Sequence, residues 1–187
     1  MLDRSKALVV AGDYAAALAQ AEQAAKRADA VDYVPLAAEV RLRLSAVVSR
    51  TGENETSLRL GRESFALSQK IDDPKIGFDA AMEIAEGLLR ENGQKASEEA
   101  LWILDIAEAL SPRLGVSEAA ERQAWIDTAR SAALMEVGDP AGAVALAASA
   151  VERRAKAQPG SPRLARAYMA QGSVLQRSND LDGASEA

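Results

Sequence analysis

Apolar residues recur at steps of three and four along most of this chain, the spacing that gives an α-helix one buried face. One such stripe consists of Phe78, Ala81, Met82, Ala85, Leu88 and Leu89. A second stripe is built of small residues, Ala143, Ala147, Ala150 and Val151, so the helices that pack against it must approach closely. The pattern predicts an all-α protein, with helices at about 2–11, 14–30, 35–50, 54–71, 74–91, 95–110, 118–136, 140–157, 162–177 and 181–187.

A short turn pattern recurs between these helices. A residue that tolerates positive φ is followed by a polar side chain at Gly12, Gly52, Gly93, Gly138 and Asn179. Positive φ is common where a helix ends, and the polar side chain that follows can accept a hydrogen bond from the free N–H groups of the next helix. Each copy therefore predicts a tight turn between two antiparallel helices.

The turns repeat with a nearly constant period. The apolar residues that follow them, Leu18, Leu58, Leu101 and Val144, are 40, 43 and 43 residues apart, and the third turn is two residues longer than the others. Five copies at this period indicate a repeated helix pair. The predicted units are about 1–31, 32–71, 72–111, 112–158 and 159–187, in one repeat domain that spans 1–187.

A second set of breaks separates one helix pair from the next. Prolines lie near three of the helix starts, where the missing N–H of proline costs nothing. Asp72 and Asp73 precede one of them, Pro74, and are predicted to cap that helix. The remaining break, at 110–118, is longer, and Ser117 is the predicted cap of the helix that follows it.

Composition narrows the chemistry that this chain can perform. Among its 187 residues there is no His and no Cys, which removes the commonest general base, the thiolate nucleophile and the usual transition-metal ligands. Among the paired carboxylates, Glu98 and Glu99 are predicted to lie in a first helical turn, where they favour the helix dipole. A carboxylate-only glycosidase would need a cleft richer in aromatic residues than a 4% aromatic chain offers. We predict that the protein is not an enzyme and takes no metal or cofactor.

Charge and hydropathy restrict the partners. The net charge of −6 argues against a nucleic-acid partner, because neutralising phosphates requires an excess of Lys and Arg. No segment approaches 18 consecutive apolar residues, so we expect no membrane-spanning helix and a cytoplasmic location.

The turn and helix residues together resemble the tetratricopeptide repeat (TPR) family. The last unit fits the family motif at Tyr168, Gly172, Leu175, Asn179-Asp180-Leu181 and Ala184, and the first at Ser5, Gly12-Asp13-Tyr14 and Ala17. Ser45 and Ser131 fill the small-residue position of the second and fourth units, whereas the third has Glu86 there, beside Gly87. The resemblance covers essentially the whole chain. It implies a right-handed α-solenoid of four to five antiparallel helix pairs.

Units of 40–45 residues are longer than the usual 34. They resemble the long-unit variety found in kinesin light chains, in bacterial regulators with helical sensor domains and behind bacterial Ser/Thr kinases. Because neither end carries a polar capping repeat, we expect the chain to be a segment of a longer protein. The uncapped ends also predict self-association.

In the TPR family the first helix of each pair lines a concave groove that holds peptides. Carried over to this chain, the groove residues that the resemblance implies are Glu39, Arg43, Arg50, Glu83, Arg90, Trp125, Thr128, Gln176 and Arg177. The three arginines either form a basic patch that grips carboxylates or are solvated or paired with Glu39, Glu83 and Glu91.

The two tryptophans carry separate predictions. Trp125 is either an exposed binding anchor or packs against the 111–117 loop, whereas Trp102 is expected in the core. The Lys and Asn with which some TPR domains clamp chaperone tails are absent, since Leu42 and Ala46, and then Glu83 and Gly87, hold those positions.

The resemblance implies a scaffold that binds a protein or peptide inside a larger signalling or regulatory protein. The alternative is a ligand- or peptide-sensing domain that controls an attached effector, which a cavity closed on several sides would favour. RNA binding by a related repeat code predicts a basic groove and a period near 35, and the sequence shows neither.

Overall fold

The computed structural model describes residues 2–178, with the side chains of residues 2, 3 and 6 excepted, and shows helices joined by short turns. The α-helices are α1 (Leu2–Val10), α2 (Tyr14–Asp29), α3 (Val34–Val48), α4 (Asn54–Lys70), α5 (Pro74–Glu91), α6 (Gln94–Leu110), α7 (Ala119–Glu136), α8 (Pro140–Ala157) and α9 (Pro162–Arg177). A 3-10 helix, Ser111–Leu114, follows α6. No strand occurs among these residues, so the predicted all-α class is confirmed.

The predicted elements agree closely with the observed ones. Within the described range, every predicted helix is present with ends within two residues of those expected. The predicted helix at 181–187, and the turn that begins at Asn179, lie outside the described residues. The turn glycines Gly12, Gly52, Gly93 and Gly138 all have positive φ, between 79° and 109°, which a side chain would strain.

The polar residues after the turns cap helices in some copies and not in others. Asp13 accepts a hydrogen bond from the Ala16 N–H at 3.1 Å, and Asp139 accepts one from the Gly142 N–H at 2.9 Å. Asp73 accepts from the N–H groups of Lys75 and Ile76, as predicted for the start of α5. Glu53 makes no side-chain capping bond at the start of α4.

The predicted cap at Ser117 is wrong. Glu118, in the left-handed region with φ of 59°, precedes α7 and makes no side-chain capping bond. The Ser117 carbonyl instead accepts a hydrogen bond from Arg122 Nη1 at 2.6 Å. The long break is thus organised by an arginine of the following helix rather than by a serine hydroxyl.

The chain forms two compact units, residues 1–90 and residues 91–187, and the division falls at the end of α5, inside the third predicted repeat. In the first unit α1 packs on α2, α2 on α3, α3 on α4, and α1 reaches α3. Its core is largely alanine: Ala17 and Ala21 pack with Val47, and Ala38 and Leu42 pack with Ile76 and Ala80.

In the second unit α6 packs on α7, α7 on α8, α8 on α9, and α7 also reaches α9. Ala143 and Ala147 of α8 pack with Val174 of α9. These are the small residues from which the sequence predicts a close helix–helix approach.

Buried serines join the two helices of a pair. The Ser5 hydroxyl donates to the Ala17 carbonyl at 3.0 Å, and the Ser45 hydroxyl donates to the Ser57 carbonyl at 2.8 Å. Both bonds span 12 residues, so they occupy equivalent places in two successive repeats. Ser131 is equally buried, although its hydroxyl donates within α7, to the Thr128 carbonyl.

Glycines lie where α5, the first helix of the third repeat, contacts α4. A Cβ at Gly87 of α5 would lie 2.6 Å from Leu58 Cδ2 of α4, and one at Gly61 of α4 would lie 3.0 Å from Ile84 Cγ1 of α5. Helices α4 and α5 therefore meet at positions where even a methyl group crowds its neighbour.

Candidate functional site

Charged side chains of α5 and of the turn after α3 gather around Glu83. We call Arg50, Asp79, Glu83, Glu86 and Arg90 the Glu83 cluster. The four α5 members recur at steps of three and four, which places them on one face of that helix. The fifth, Arg50, lies exposed in the turn after α3.

Glu83 is the electrostatic centre of this cluster. It is half-buried, and burial, followed by the charge of Glu86, raises its pKa from 4.5 to about 7, while Arg50 and Arg90 oppose the rise and Asp79 adds to it. The desolvation of the carboxylate outweighs the two nearby guanidinium groups. Near neutral pH the Glu83 side chain therefore exists in both the neutral and the ionised form.

Arg90 is fixed by a contact that the sequence did not reveal. Its Nε donates to Asn54 Oδ1 at 3.3 Å, and Asn54 Nδ2 donates to the Gly87 carbonyl at 3.0 Å. Asn54 is the first residue of α4. The guanidinium group at the end of α5 is thus positioned by the start of the preceding helix.

The remaining predicted arginine of this unit is paired on its own helix. Arg43 Nε and Glu39 Oε1 are 2.8 Å apart, and both side chains are partly exposed. Of the two interpretations of the arginines, pairing holds for Arg43. The charges of Arg50 and Arg90 act on Glu83, which the pairing interpretation also named as a partner.

The other predicted groove residues lie in the second unit. Trp125 is half-buried on α7. The Thr128 hydroxyl donates to the Ala124 carbonyl at 2.7 Å, one turn back along the same helix. On α9, Gln176 is exposed and Arg177 Nη2 lies 2.7 Å from Glu136 Oε1 of α7.

The prediction that Trp102 lies in the core is wrong, because its side chain is 63% exposed. The buried residues of α6 are Ser97, Ala100, Leu104, Ala107 and Leu110. Trp102 is two residues from both Ala100 and Leu104, which is about 200° around a helix. Its size suggested the core, but its register places it on the opposite face.

A buried polar network on α7 also went unpredicted. Asp127, only 3% exposed, accepts hydrogen bonds from Gln123 Nε2 at 2.9 Å and from Ser149 Oγ and Arg153 Nε at 3.2 Å each. The spacing of four between Gln123 and Asp127 is the one signal in the sequence that could have indicated it. Because its oxygens are satisfied inside the unit, this network stabilises the α7–α8 pair.

Arg122 holds the long break between α6 and α7 in place by hydrogen bonds. Its Nε donates to Ser111 Oγ at 3.1 Å, and Nη2 donates to the carbonyls of Gly115 and Ser111. With the bond to Ser117 described above, one buried guanidinium group holds both ends of the 111–117 segment.

Two depressions lie among the described residues. A depression of about 220 Å³ lies beside Ala28, Tyr33 and Leu67, and one of about 450 Å³ lies beside Ser149 and Arg153; both open to solvent. In the described part of the chain no three His, Cys, Asp or Glu side chains are placed to hold a metal ion. No helix between residues 2 and 178 is both long and apolar enough to cross a membrane.

Comparison with solved structures shows the fold. A kinesin light chain protein with nearly identical TPR-like repeats, from Podosopora anserina, superposes with a TM-score of 0.72 at 18% identity, over 99% of this chain and 88% of that one. BtubC (BKLC) from P. vanneervenii superposes with a TM-score of 0.74 at 16% identity, over 97% of this chain and 73% of that one. The fold is a TPR-like repeat fold. No family model and no curated protein matches the sequence.

The TPR-like fold confirms the resemblance that the turn residues indicated. The predicted groove residues Glu39, Glu83 and Thr128 lie on α3, α5 and α7. That these residues form a peptide groove stays a prediction.

Proposed function

We propose that this chain is a non-catalytic protein-interaction domain that binds a peptide segment over the first helices of its repeats, within a larger signalling or regulatory protein. Its TPR-like fold and its two depressions that open to solvent support a surface that binds a chain rather than a pocket that encloses a small molecule.

The Glu83 cluster is the observation that carries the proposal. A guanidinium group that follows α3 and another at the end of α5 both lower the pKa of one half-buried carboxyl group, that of Glu83. Arginine donors in a fork geometry suit a carboxylate of a bound peptide. When Glu83 is protonated, such a carboxylate meets the two arginines with less competition from the cluster's own acids. We therefore expect an acidic peptide to bind more tightly at pH 6 than at pH 8.

The test is a selection from a displayed library of random peptides on the intact chain, followed by affinity measurement. We expect acidic peptides to be enriched, and the double variant Arg50→Glu/Arg90→Glu to lose their binding. The matched control is Arg27→Glu/Lys70→Glu, which makes the same charge change at exposed positions on the second helices α2 and α4.

The control should bind as the unchanged protein does, and circular dichroism should confirm that both variants stay helical. Equal loss of binding in the two double variants would show a general charge effect and contradict the site. Failure to enrich any peptide would contradict the proposal and favour the sensor alternative.

A further inference from the structure

One asparagine of this chain is followed directly by a glycine. The pair is Asn92 and Gly93, and it lies between the end of α5 at Glu91 and the start of α6 at Gln94. The other two asparagines precede residues that carry side chains, Asn54 before Glu55 and Asn179 before Asp180. The residue that follows the asparagine therefore distinguishes Asn92 from the rest.

The structure leaves this pair open. Both residues are exposed, and neither belongs to a helix. Asn92 has φ of 53° and Gly93 has φ of 109°, a region that asparagine tolerates and that glycine adopts without steric cost. Apart from the chain neighbours of Gly93, no described atom would lie within 4 Å of a Cβ built at that residue. Packing therefore does not crowd the main chain at Gly93.

We propose that Asn92 is a site of spontaneous deamidation, in which the main-chain nitrogen of Gly93 attacks the side-chain carbonyl carbon of Asn92. The new N–C bond closes a five-membered succinimide ring. Solvent takes the proton from the attacking nitrogen and returns one to the side-chain nitrogen, which leaves as ammonia. Water then opens the ring at either carbonyl and gives aspartate or isoaspartate.

The reaction needs no partner other than water. Nucleophile and electrophile belong to the same dipeptide, so their encounter carries no cost of association. A side chain on the second residue would crowd the closing ring, and glycine has none. The exposed position of both residues also gives water access to the ring once it has formed.

The two products change this turn in different ways. Each adds one carboxylate to a chain of net charge −6, just before α6, whose N-terminus favours a negative charge. Isoaspartate also lengthens the main chain by one methylene group, close to the point at residues 90 and 91 where the two compact units divide. The charge and the backbone of the turn therefore both change as the protein ages.

This inference does not depend on the proposed peptide site. Asn92 is not a member of the Glu83 cluster, and the reaction proceeds without any bound ligand. The two proposals can therefore succeed or fail separately in experiment.

The test incubates the intact protein in water enriched in oxygen-18, at pH 7 and at pH 9. Digestion and mass spectrometry with electron-transfer fragmentation then separate isoaspartate from aspartate. We expect the peptide that contains Asn92 to take up the heavy oxygen roughly tenfold faster than those that contain Asn54 or Asn179, and to yield both products. The reaction should be faster at pH 9, because solvent base removes the proton from the Gly93 nitrogen.

Asn92→Gln is the variant that tests the ring. Glutamine keeps the side-chain amide but has to close a six-membered ring, which forms more slowly. The acidic species that accumulates in the unchanged protein should therefore be absent on ion-exchange chromatography. Asn179→Gln makes the same substitution before Asp180 and is the matched control, so the acidic species should accumulate in it at the unchanged rate. Circular dichroism should show that both variants stay helical.

The proposal is wrong if Asn92 converts no faster than Asn54. Formation of aspartate without isoaspartate would show direct hydrolysis of the side-chain amide instead of ring closure. Rapid conversion in urea, with none in the folded protein, would show that the fold protects the turn from the reaction.

Discussion

At Ser45 one buried hydroxyl joins the two helices of a repeat through the Ser57 carbonyl. The side chain is small enough to let α3 and α4 approach, and its only polar atom is satisfied at the contact. The sequence predicted the need for a small residue here, but not the hydrogen bond, because an alanine would meet the same steric requirement.

Replacing this serine tests the bond. Ser45→Ala should destabilise the fold by about 1 kcal/mol, the usual net value of an intramolecular hydrogen bond. The measurement is urea unfolding followed by circular dichroism. Ser173→Ala, at an exposed position on α9, is the control and should change the unfolding free energy by much less. An unaltered midpoint for Ser45→Ala would mean that the bond contributes nothing.

The raised pKa of Glu83 predicts that the stability of the fold depends on pH. Its folded pKa of about 7 lies above the unperturbed 4.5, so the folded state binds this proton more tightly than the unfolded state. The resulting stabilisation is complete below about pH 4.5 and is lost as the pH rises through about 7. Glu83→Gln should therefore be more stable than the unchanged protein at pH 8, by roughly 1 to 3 kcal/mol, and similar to it at pH 4.5.

Urea midpoints collected between these two pH values check this expectation. Glu55→Gln, at an exposed position on α4, is the control and should follow the unchanged protein throughout. A difference between Glu83→Gln and the unchanged protein that is constant with pH would show that Glu83 titrates normally.

Some features of single residues can be predicted from the local sequence, whereas others depend on tertiary packing. The positive φ of the turn glycines follows from the residue type alone, and it was predicted. The exposure of Trp102 depends on its register against Ala100 and Leu104. The raised pKa of Glu83 depends on its burial and on the nearby charge of Glu86, which outweigh the opposing effect of Arg50. Neither can be obtained from composition or residue size.

At the scale of elements, the contact between α4 and α5 is limited by Gly87. A Cβ there would lie 2.6 Å from Leu58 Cδ2, and Leu58 is itself buried. Gly87→Ala should therefore destabilise the protein by roughly 1 to 3 kcal/mol, although alanine favours a helix over glycine by about 1 kcal/mol.

A double-mutant cycle separates crowding from backbone effects. Leu58→Ala removes the group that the new methyl would meet, so Gly87→Ala should cost much less in that background. Strict additivity of the two changes would indicate that the methyl is accommodated without displacing Leu58.

Helix ends were predicted within two residues because the signals at them are local: glycine at the end, proline or aspartate at the start. The exception is informative. Between α6 and α7 the structure uses Arg122, four residues beyond Glu118, to hold Ser111 and Ser117 from inside the unit. When a buried side chain of the next helix organises a turn, the residues of the turn itself carry no sequence signal for that arrangement.

At the scale of the whole molecule, the division between the two compact units falls inside a predicted repeat rather than between two repeats. The third predicted repeat, 72–111, contains the division at residues 90 and 91. Repeat periodicity follows the turns, whereas the unit boundary follows how the helices pack on one another. The cluster of Ala38 and Leu42 with Ile76 and Ala80 assigns α5 to the first unit.

Truncation tests which boundary governs folding. A fragment of residues 1–91, which keeps all of α5, should be helical and unfold cooperatively in urea. A fragment of residues 1–71, cut at the predicted repeat boundary, exposes Ala38 and Leu42 and should unfold at lower urea with a broader transition. If the shorter fragment proves as stable as the longer, the repeats rather than the units are the folding elements.

The joint made by Ser5 and Ala17, and again by Ser45 and Ser57, has the same sequence offset of 12 in both repeats. The part shared by the two repeats is one hydroxyl and one backbone carbonyl, and the second repeat adds the Ser57 hydroxyl, which donates to the Ser45 carbonyl at 3.1 Å. A gene segment that encodes such a helix pair brings both halves of the joint with it. Tandem duplication can therefore lengthen an array of this kind without any new interaction having to evolve inside the added pair.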